Sequence, residues 1–193
     1  EDGYYSLDDP IGDYIEKLGG KFGAVTFREA LSHQGGIYPW IPFHLESRKK
    51  DGTFRKKTVS VQQDLEYPYP LSDSLYLHRE FYQKIKKWIR KSEVSKEKKY
   101  RYSGLFFYLI PELVQSLTDT SYETYLKQHF YEPMQAESLT FNPLEKFDPE
   151  YIIPTEVDTF FRMSPIHGKV HDVGAIMMRG VSGNAGLSSN ATD

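Results

Sequence analysis

The sequence predicts a mainly α-helical chain with long loops and few short strands. Helix-opening signals recur at Asp9-Pro10, at Thr26 with Glu29, and at Thr120 with Glu123. Residues 79–91 carry an apolar stripe of helical period. Pro39, Pro42, Pro68 and Pro70 deny residues 37–70 any long regular element, because proline lacks an N–H and fixes φ.

The elements follow in order. Asp9 suits an N-cap and Pro10 the first helical position, where a missing N–H is no loss. Ile11, Tyr14, Ile15 and Leu18 would then share one face, with Gly19-Gly20 closing the helix. Thr26 and Glu29 form a capping box for a second short helix over residues 27–32, stopped by His33-Gln34-Gly35-Gly36. Lys49-Lys50-Asp51-Gly52 reads as a turn and residues 58–61 as a short strand. In the helix over 79–91, Phe81, Ile85, Trp88 and Ile89 make the core stripe. Tyr102-Ser103-Gly104 leads into an apolar helix over 105–117, which Pro111 should kink. Thr120 and Glu123 open a helix to about residue 130, ended by Pro133. From Glu137 onward the pattern is loop with short extended pieces. Gly180, Gly183 and Gly186, spaced by three among small residues, suit a run that wraps closely around a neighbouring element or a ligand.

Bulk properties exclude several classes. A length of 193 residues fits one domain. A net charge of −3 argues against a global nucleic-acid or membrane field. The chain has no Cys, so disulfides and thiolate metal sites are excluded. No run of about 18 apolar residues could span a bilayer as a helix, and no targeting signal is visible. The sequence opens at Glu1 without methionine and stops at Thr192-Asp193, a pair suited to opening a helix. Both ends therefore read as cut, and the chain as an internal fragment.

Each chemical candidate competes with a structural one. Nine basic residues between Lys84 and Arg101, and a second cluster over 48–57, invite a nucleic-acid reading. Phe81 and Trp88 belong to the apolar stripe, however, so the cations read as a solvated face and no nucleic-acid partner is expected. His167 and His171, four apart beside Asp172, would suit zinc on a helix, but the context is poor in helix signals. A hydrogen-bonded loop is preferred and no metal or other cofactor is expected. Ser182 lies in Gly180-Val181-Ser182-Gly183-Asn184, which lacks the second glycine of a nucleophile elbow. His33 reads as a capping or buried hydrogen-bonded histidine before a catalytic one. Tyr102, at the mouth of an apolar helix, is either core or a reactive phenol.

Taken together the segments resemble the serine β-lactamase and penicillin-binding-protein superfamily, in its class C and esterase-like branch. Leu7-Asp8-Asp9-Pro10-Ile11-Gly12-Asp13-Tyr14-Ile15 is similar to the stretch following that family's nucleophile helix, and Leu31-Ser32-His33-Gln34-Gly35-Gly36 to its "LLSHTSG" segment. Tyr102-Ser103-Gly104-Leu105 stands where its Y-x-N motif does. Ser121-Tyr122-Glu123, through to Tyr131-Glu132-Pro133-Met134, is similar to its "SYEEYL…PLGM" helix. Val170-His171-Asp172 and residues 180–188 resemble its "VHDENA…GGVAGHAGLFS" run, above all in β-lactamase-like domains fused to glycoside hydrolases in Bacteroidetes-type bacteria.

The resemblance implies an α+β fold, an antiparallel sheet flanked by helices against a largely helical part, with residues 1–193 forming one partial domain. It implies acyl transfer, in which a serine attacks an ester, β-lactam or peptidoglycan-type amide and forms an acyl-enzyme. It also implies an extracytoplasmic, periplasmic location and a small-molecule or peptidoglycan-like substrate. Tyr102 carries over as the proton shuttle. A phenol ordinarily titrates near 10, so working at pH 7 requires about 4 kcal/mol of phenolate stabilisation, which lysines provide in such sites. Of the family's three motifs only the second is expected here; the nucleophile helix and the K-T-G-like strand would lie outside the chain. Ser47 to Lys50 and Ser95 to Lys98 spell S-x-x-K in charged stretches downstream of Asp9-Pro10, and read as chance. Gly104 departs from the family's Asn or Asp, whose side chain contacts substrate or lysine. That departure favours an esterase, or a catalytically degenerate binding or scaffold domain, over a β-lactamase.

Overall fold

The computed structural model describes residues 3–193. In chain order the α-helices are α1 (Gly20–Gly23), α2 (Phe27–Leu31), α3 (Phe43–Glu46), α4 (Arg79–Arg90), α5 (Ile110–Thr118), α6 (Tyr122–Leu126), α7 (Glu132–Met134) and α8 (Val173–Met177). The strands are β1 (Val59–Ser60), β2 (Tyr69–Pro70), β3 (Tyr76–Leu77), β4 (Glu156–Asp158) and β5 (Ser164–Ile166), with long loops between. Helices with a few short strands are the expected composition. The chain resolves into two compact units, residues 3–41 with 86–125, and residues 42–85 with 126–193.

In the first unit the capping box forms as expected. Thr26 Oγ1 accepts the Glu29 N–H at 3.2 Å and the Glu29 carboxylate accepts the Thr26 N–H at 3.2 Å. The helix so opened ends at His33, whose φ of 58° is left-handed, while the N–H groups of Gln34 and Gly35 return to Glu29 O. Thr26→Ala is expected to cost about 1 kcal/mol in urea unfolding, because the Glu29 N–H loses its acceptor. Phe27 is fully buried on α2 and meets Phe106 edge-on at 6.3 Å.

The expected first helix is only a 3₁₀ turn, Ile11–Asp13. Asp9 does not cap it. Its carboxylate accepts the Ser6 N–H and the Tyr14 hydroxyl, and the Ile11 N–H goes to Val25 O. The Asp13 and Tyr14 N–H groups reach back only three residues, to Pro10 O and Ile11 O, so the turn is 3₁₀ and does not continue as an α-helix. Ile11, Ile15 and Leu18 are nonetheless buried, so the apolar stripe was real while its periodicity was not helical. Gly20 opens α1 where the sequence suggested a stop.

Pro111 also differs from expectation. The segment begins as a 3₁₀ turn, Phe107–Leu109, and becomes α-helical at Ile110, which puts Pro111 in the first turn of α5, where no helical hydrogen bond is lost. Asp119 ends α5 in the left-handed region at φ 53°. The next helix is opened by Ser121 rather than Thr120: Ser121 Oγ accepts the Thr124 N–H at 3.1 Å, and the Thr120 hydroxyl turns back to Thr118 O. Nor does Pro133 end it near residue 130. A π-helical turn, Lys127–Tyr131, widens the backbone just before the proline, and α7 continues to Met134.

In the second unit β3 pairs antiparallel with β1 (Val59↔Leu77, Ser60↔Tyr76) and β2 (Tyr69↔Leu77, Pro70↔Tyr76), giving the order β1-β3-β2. β4 and β5 form an antiparallel pair with Asp158 opposite Ser164. Pro70 and Pro165 both sit in edge strands, where a missing N–H is tolerated. The Lys49–Gly52 turn forms, with the Gly52 N–H donating to Lys49 O at 3.0 Å.

The tail contains a helix where loop and short extended pieces were expected. The Asp172 carboxylate accepts the Ala175 N–H at 2.6 Å and opens α8, in which Gly174 to Met177 are buried. The glycine run then folds on itself and on Phe141-Asn142. Gly180 has φ +78° and Gly186 φ +108°, and a Cβ on Gly186 would lie 2.2 Å from Gly180 O and 3.1 Å from the Phe141 ring. The close wrapping foreseen for this run is thus around a neighbouring segment. Gly186→Ala is expected to destabilise by about 1–3 kcal/mol from the backbone conformation alone, read as a lower urea midpoint.

Candidate functional site

Tyr102 lies on the turn between the basic segment and the apolar run that leads into α5. Its side chain is 55% exposed, so it is not a core residue. The turn beneath it is fixed at several points. Ser103 is buried; its Oγ donates to Tyr38 O at 2.7 Å and accepts the Leu105 N–H at 3.3 Å. His33, at the end of α2, holds both flanks of the tyrosine. Its carbonyl accepts the Arg101 N–H at 2.9 Å and its ring Nδ1 accepts the Ser103 N–H at 3.4 Å. The His33 ring lies 4.7 Å from the Tyr102 ring and packs against Tyr100 and Phe107 at 6.0 and 5.4 Å. Gly104 is buried and offers no side chain beside the phenol. The arrangement presents a hydroxyl on a rigid mount. It could hand a proton to, or take one from, a group placed opposite it.

Neither S-x-x-K string makes a nucleophile. That motif needs both side chains on one helical face. Ser47 follows α3, is fully buried, and donates its hydroxyl to His44 O at 2.6 Å, while Lys50 lies in the following turn. Ser95 Oγ accepts the Glu97 N–H, and Lys98 pairs with Glu29 at 3.1 Å.

The remaining candidates take structural places. Ser182 is buried, and its Oγ donates to Ala185 O and Asn184 Oδ1 and accepts the Ala185 N–H. His167 and His171 lie in a turn ahead of α8 rather than on a helix. His167 Nε2 meets Ile152 O at 2.6 Å, and the His171 carbonyl serves Arg162. Within the basic stretch Lys86 and Arg90 share Glu112, and Lys99 pairs with Glu97. Arg48 spends its guanidinium on Phe161 O at 2.8 Å and on the Phe54 ring face at 4.5 Å.

A buried ion pair organises the second unit. Arg162 Nε and Asp158 Oδ2 are 2.9 Å apart and both side chains are wholly buried. Arg162 also donates to Val170 O at 2.8 Å and His171 O at 2.6 Å, while Asp158 Oδ1 accepts the N–H groups of Phe160 and Phe161. Burial pushes the Asp158 carboxyl up. The Phe161 N–H, the Arg162 guanidinium and the Phe160 N–H outweigh it and hold the group below its ordinary 3.8. Burial holds nearby His44 below its ordinary 6.5; Asp158 raises it and Arg48 lowers it further.

The family model described as Beta-lactamase matches residues 1–193. The chain belongs to the beta-lactamase family. Two curated relatives are the N-acetylmuramyl-L-alanine amidase of Bacillus subtilis (strain 168) and a putative D-alanyl-D-alanine carboxypeptidase of Escherichia coli (strain K12). Each is 36% identical over 107 residues, 49% of this chain but 24% and 25% of the respective relative. The chain therefore spans about a quarter of the length of these relatives. Among solved structures, the octameric penicillin-binding protein homologue from Pyrococcus abyssi matches with a TM-score of 0.61 at 21% identity, covering 100% of this chain and 38% of that one. A class C beta-lactamase from Rhodobacter sphaeroides matches with a TM-score of 0.53 at 16% identity, covering 99% and 42%. These likenesses show the β-lactamase/transpeptidase-like fold that the sequence resemblance implied.

Within this beta-lactamase-family chain, sequence reasoning singled out Tyr102 and His33 separately. It did not bring them together, since 69 residues separate them and only the fold closes that distance. It missed Asp158 and Arg162 altogether. Their four-residue spacing runs from the last residue of β4 into the loop beyond it, so no periodic pattern marks it. A signal for α8 did exist, an Asp immediately before an apolar run.

Proposed function

We propose that residues 1–193 are part of one domain of a serine hydrolase that forms an acyl-enzyme on an ester, β-lactam or peptidoglycan-type amide. Tyr102 acts in it as the proton shuttle. The observation that carries the reading is the exposed Tyr102 phenol on a turn locked through Ser103, His33 and Tyr38. The serine hydroxyl attacks the carbonyl carbon, and its proton leaves toward the phenolate. The same phenol then protonates the departing alcohol or amine, and water repeats the sequence to release the acyl group. On this reading the nucleophile, its lysine and the K-T-G-like strand come from sequence outside residues 1–193, and no cofactor is required. The names of the amidase and carboxypeptidase relatives support a peptidoglycan-type substrate and an extracytoplasmic location. The tail run supports closeness to the β-lactamase-like domains fused to glycoside hydrolases.

Gly104 favours a second reading, a domain that kept the fold for binding or scaffolding and lost the chemistry. Treating the full-length protein with a fluorophosphonate or a penicillin probe separates the two. A covalent adduct is expected on one serine. An intact fold with no adduct removes the hydrolase reading and leaves the binding domain.

A further inference from the structure

We infer that His33 is the positioning residue for Tyr102, acting through ring Nδ1 as a fixed acceptor. The inference rests on the hydrolase reading and gives His33 a specific part in it.

His33 is held at φ 58°, the left-handed region that Asn, Asp and His enter more readily than other side chains. This conformation closes α2 and turns the His33 carbonyl and ring toward the same neighbouring segment. The carbonyl takes the Arg101 N–H at 2.9 Å and Nδ1 takes the Ser103 N–H at 3.4 Å. Tyr102 is thus bracketed by hydrogen bonds to one residue, and its ring packs on that residue's imidazole at 4.7 Å. An accepted N–H requires an unprotonated Nδ1, so the neutral ring carries its proton on Nε2. Ser103, the other side of the mount, is anchored independently through Oγ to Tyr38 O. Removing the Nδ1 acceptor therefore frees one flank of the tyrosine without dissolving the turn. A shuttle must stay within hydrogen-bond reach of two reacting atoms in succession. A displacement near 1 Å costs on the order of 100-fold in rate.

The test uses full-length protein, with acylation by a chromogenic ester or penicillin probe as readout. His33→Phe keeps a ring against Tyr102 and loses the acceptor; its kcat should fall on the order of 10- to 100-fold with KM little changed. His33→Asn keeps left-handed tolerance and places Oδ1 near the position of Nδ1; it should recover most of that loss. Equal loss in both variants, or no loss in either, overturns the inference. Tyr102→Phe runs in parallel. If the native protein forms no adduct, the hydrolase reading itself fails; if Tyr102→Phe acylates normally, the shuttle role fails; if it is slow while His33→Phe is native-like, only the positioning role fails. Should His33→Phe not fold, the native protein still decides. Long-range ¹H–¹⁵N correlation should show His33 as the Nε2–H tautomer, and a proton on Nδ1 at neutral pH overturns the assignment.

Discussion

Tyr102→Phe is expected to slow acylation of the full-length protein by about 10²- to 10⁴-fold, the range for losing a positioned general acid–base. The substitution removes one oxygen and leaves the ring that packs on His33. Because the side chain is 55% exposed, unfolding should shift by no more than about 0.5 kcal/mol. The two measurements must therefore part company: acylation kinetics collapse while the urea midpoint stays. A parallel fall in both would point to a structural tyrosine, and an unchanged rate would remove the shuttle role. Burst kinetics with a chromogenic ester make the loss assignable to acylation rather than to release of the acyl group.

Asp158→Asn should produce the largest loss of stability, about 3–5 kcal/mol, because it takes from the buried Arg162 guanidinium its counter-charge at 2.9 Å and leaves only Glu156 at 3.7 Å. The loss should be local in origin and wide in effect. Arg162 ties the loop after β4 to the Val170 and His171 carbonyls, directly before the α8 N-cap, so loosening it frees the start of α8. The pH dependence follows from the sign of the shift. Asp158 is held below its ordinary 3.8 in the folded protein. Its contribution is fully present above that value and is lost as pH falls through the lower folded value. Native protein should therefore lose stability as pH drops below about 4, and Asp158→Asn should lack that part of the decline. Urea midpoints from pH 3 to 7 on both proteins check this; parallel curves would show that Asp158 is not the group responsible.

Several features were legible in the sequence because each depends on neighbours a few residues away. The Thr26–Glu29 capping box, the stripe of α4 and the Lys49–Gly52 turn are local agreements between side chains and backbone, and they formed as read. Family-like segments in order along the chain were likewise enough to place it in the β-lactamase/transpeptidase-like fold. Local reading failed where distant contacts set a segment's place: residues 11–18 bury their apolar side chains from one 3₁₀ turn, held to the chain at Val25 O through the Ile11 N–H.

By itself the sequence determined the Thr26–Glu29 cap, the stripe of α4 and the family to which the chain belongs, and it named the tyrosine proposed here as the shuttle. Only the tertiary structure decided that His33 grips both flanks of that tyrosine, that Asp158 and Arg162 meet in a dry interior, and that the glycine run closes on Phe141-Asn142. The physical reason is range. Capping and periodicity act within a turn or two of chain, whereas an ion pair's burial and a hydrogen bond between positions 33 and 103 exist only after folding has removed the water and closed the intervening loop.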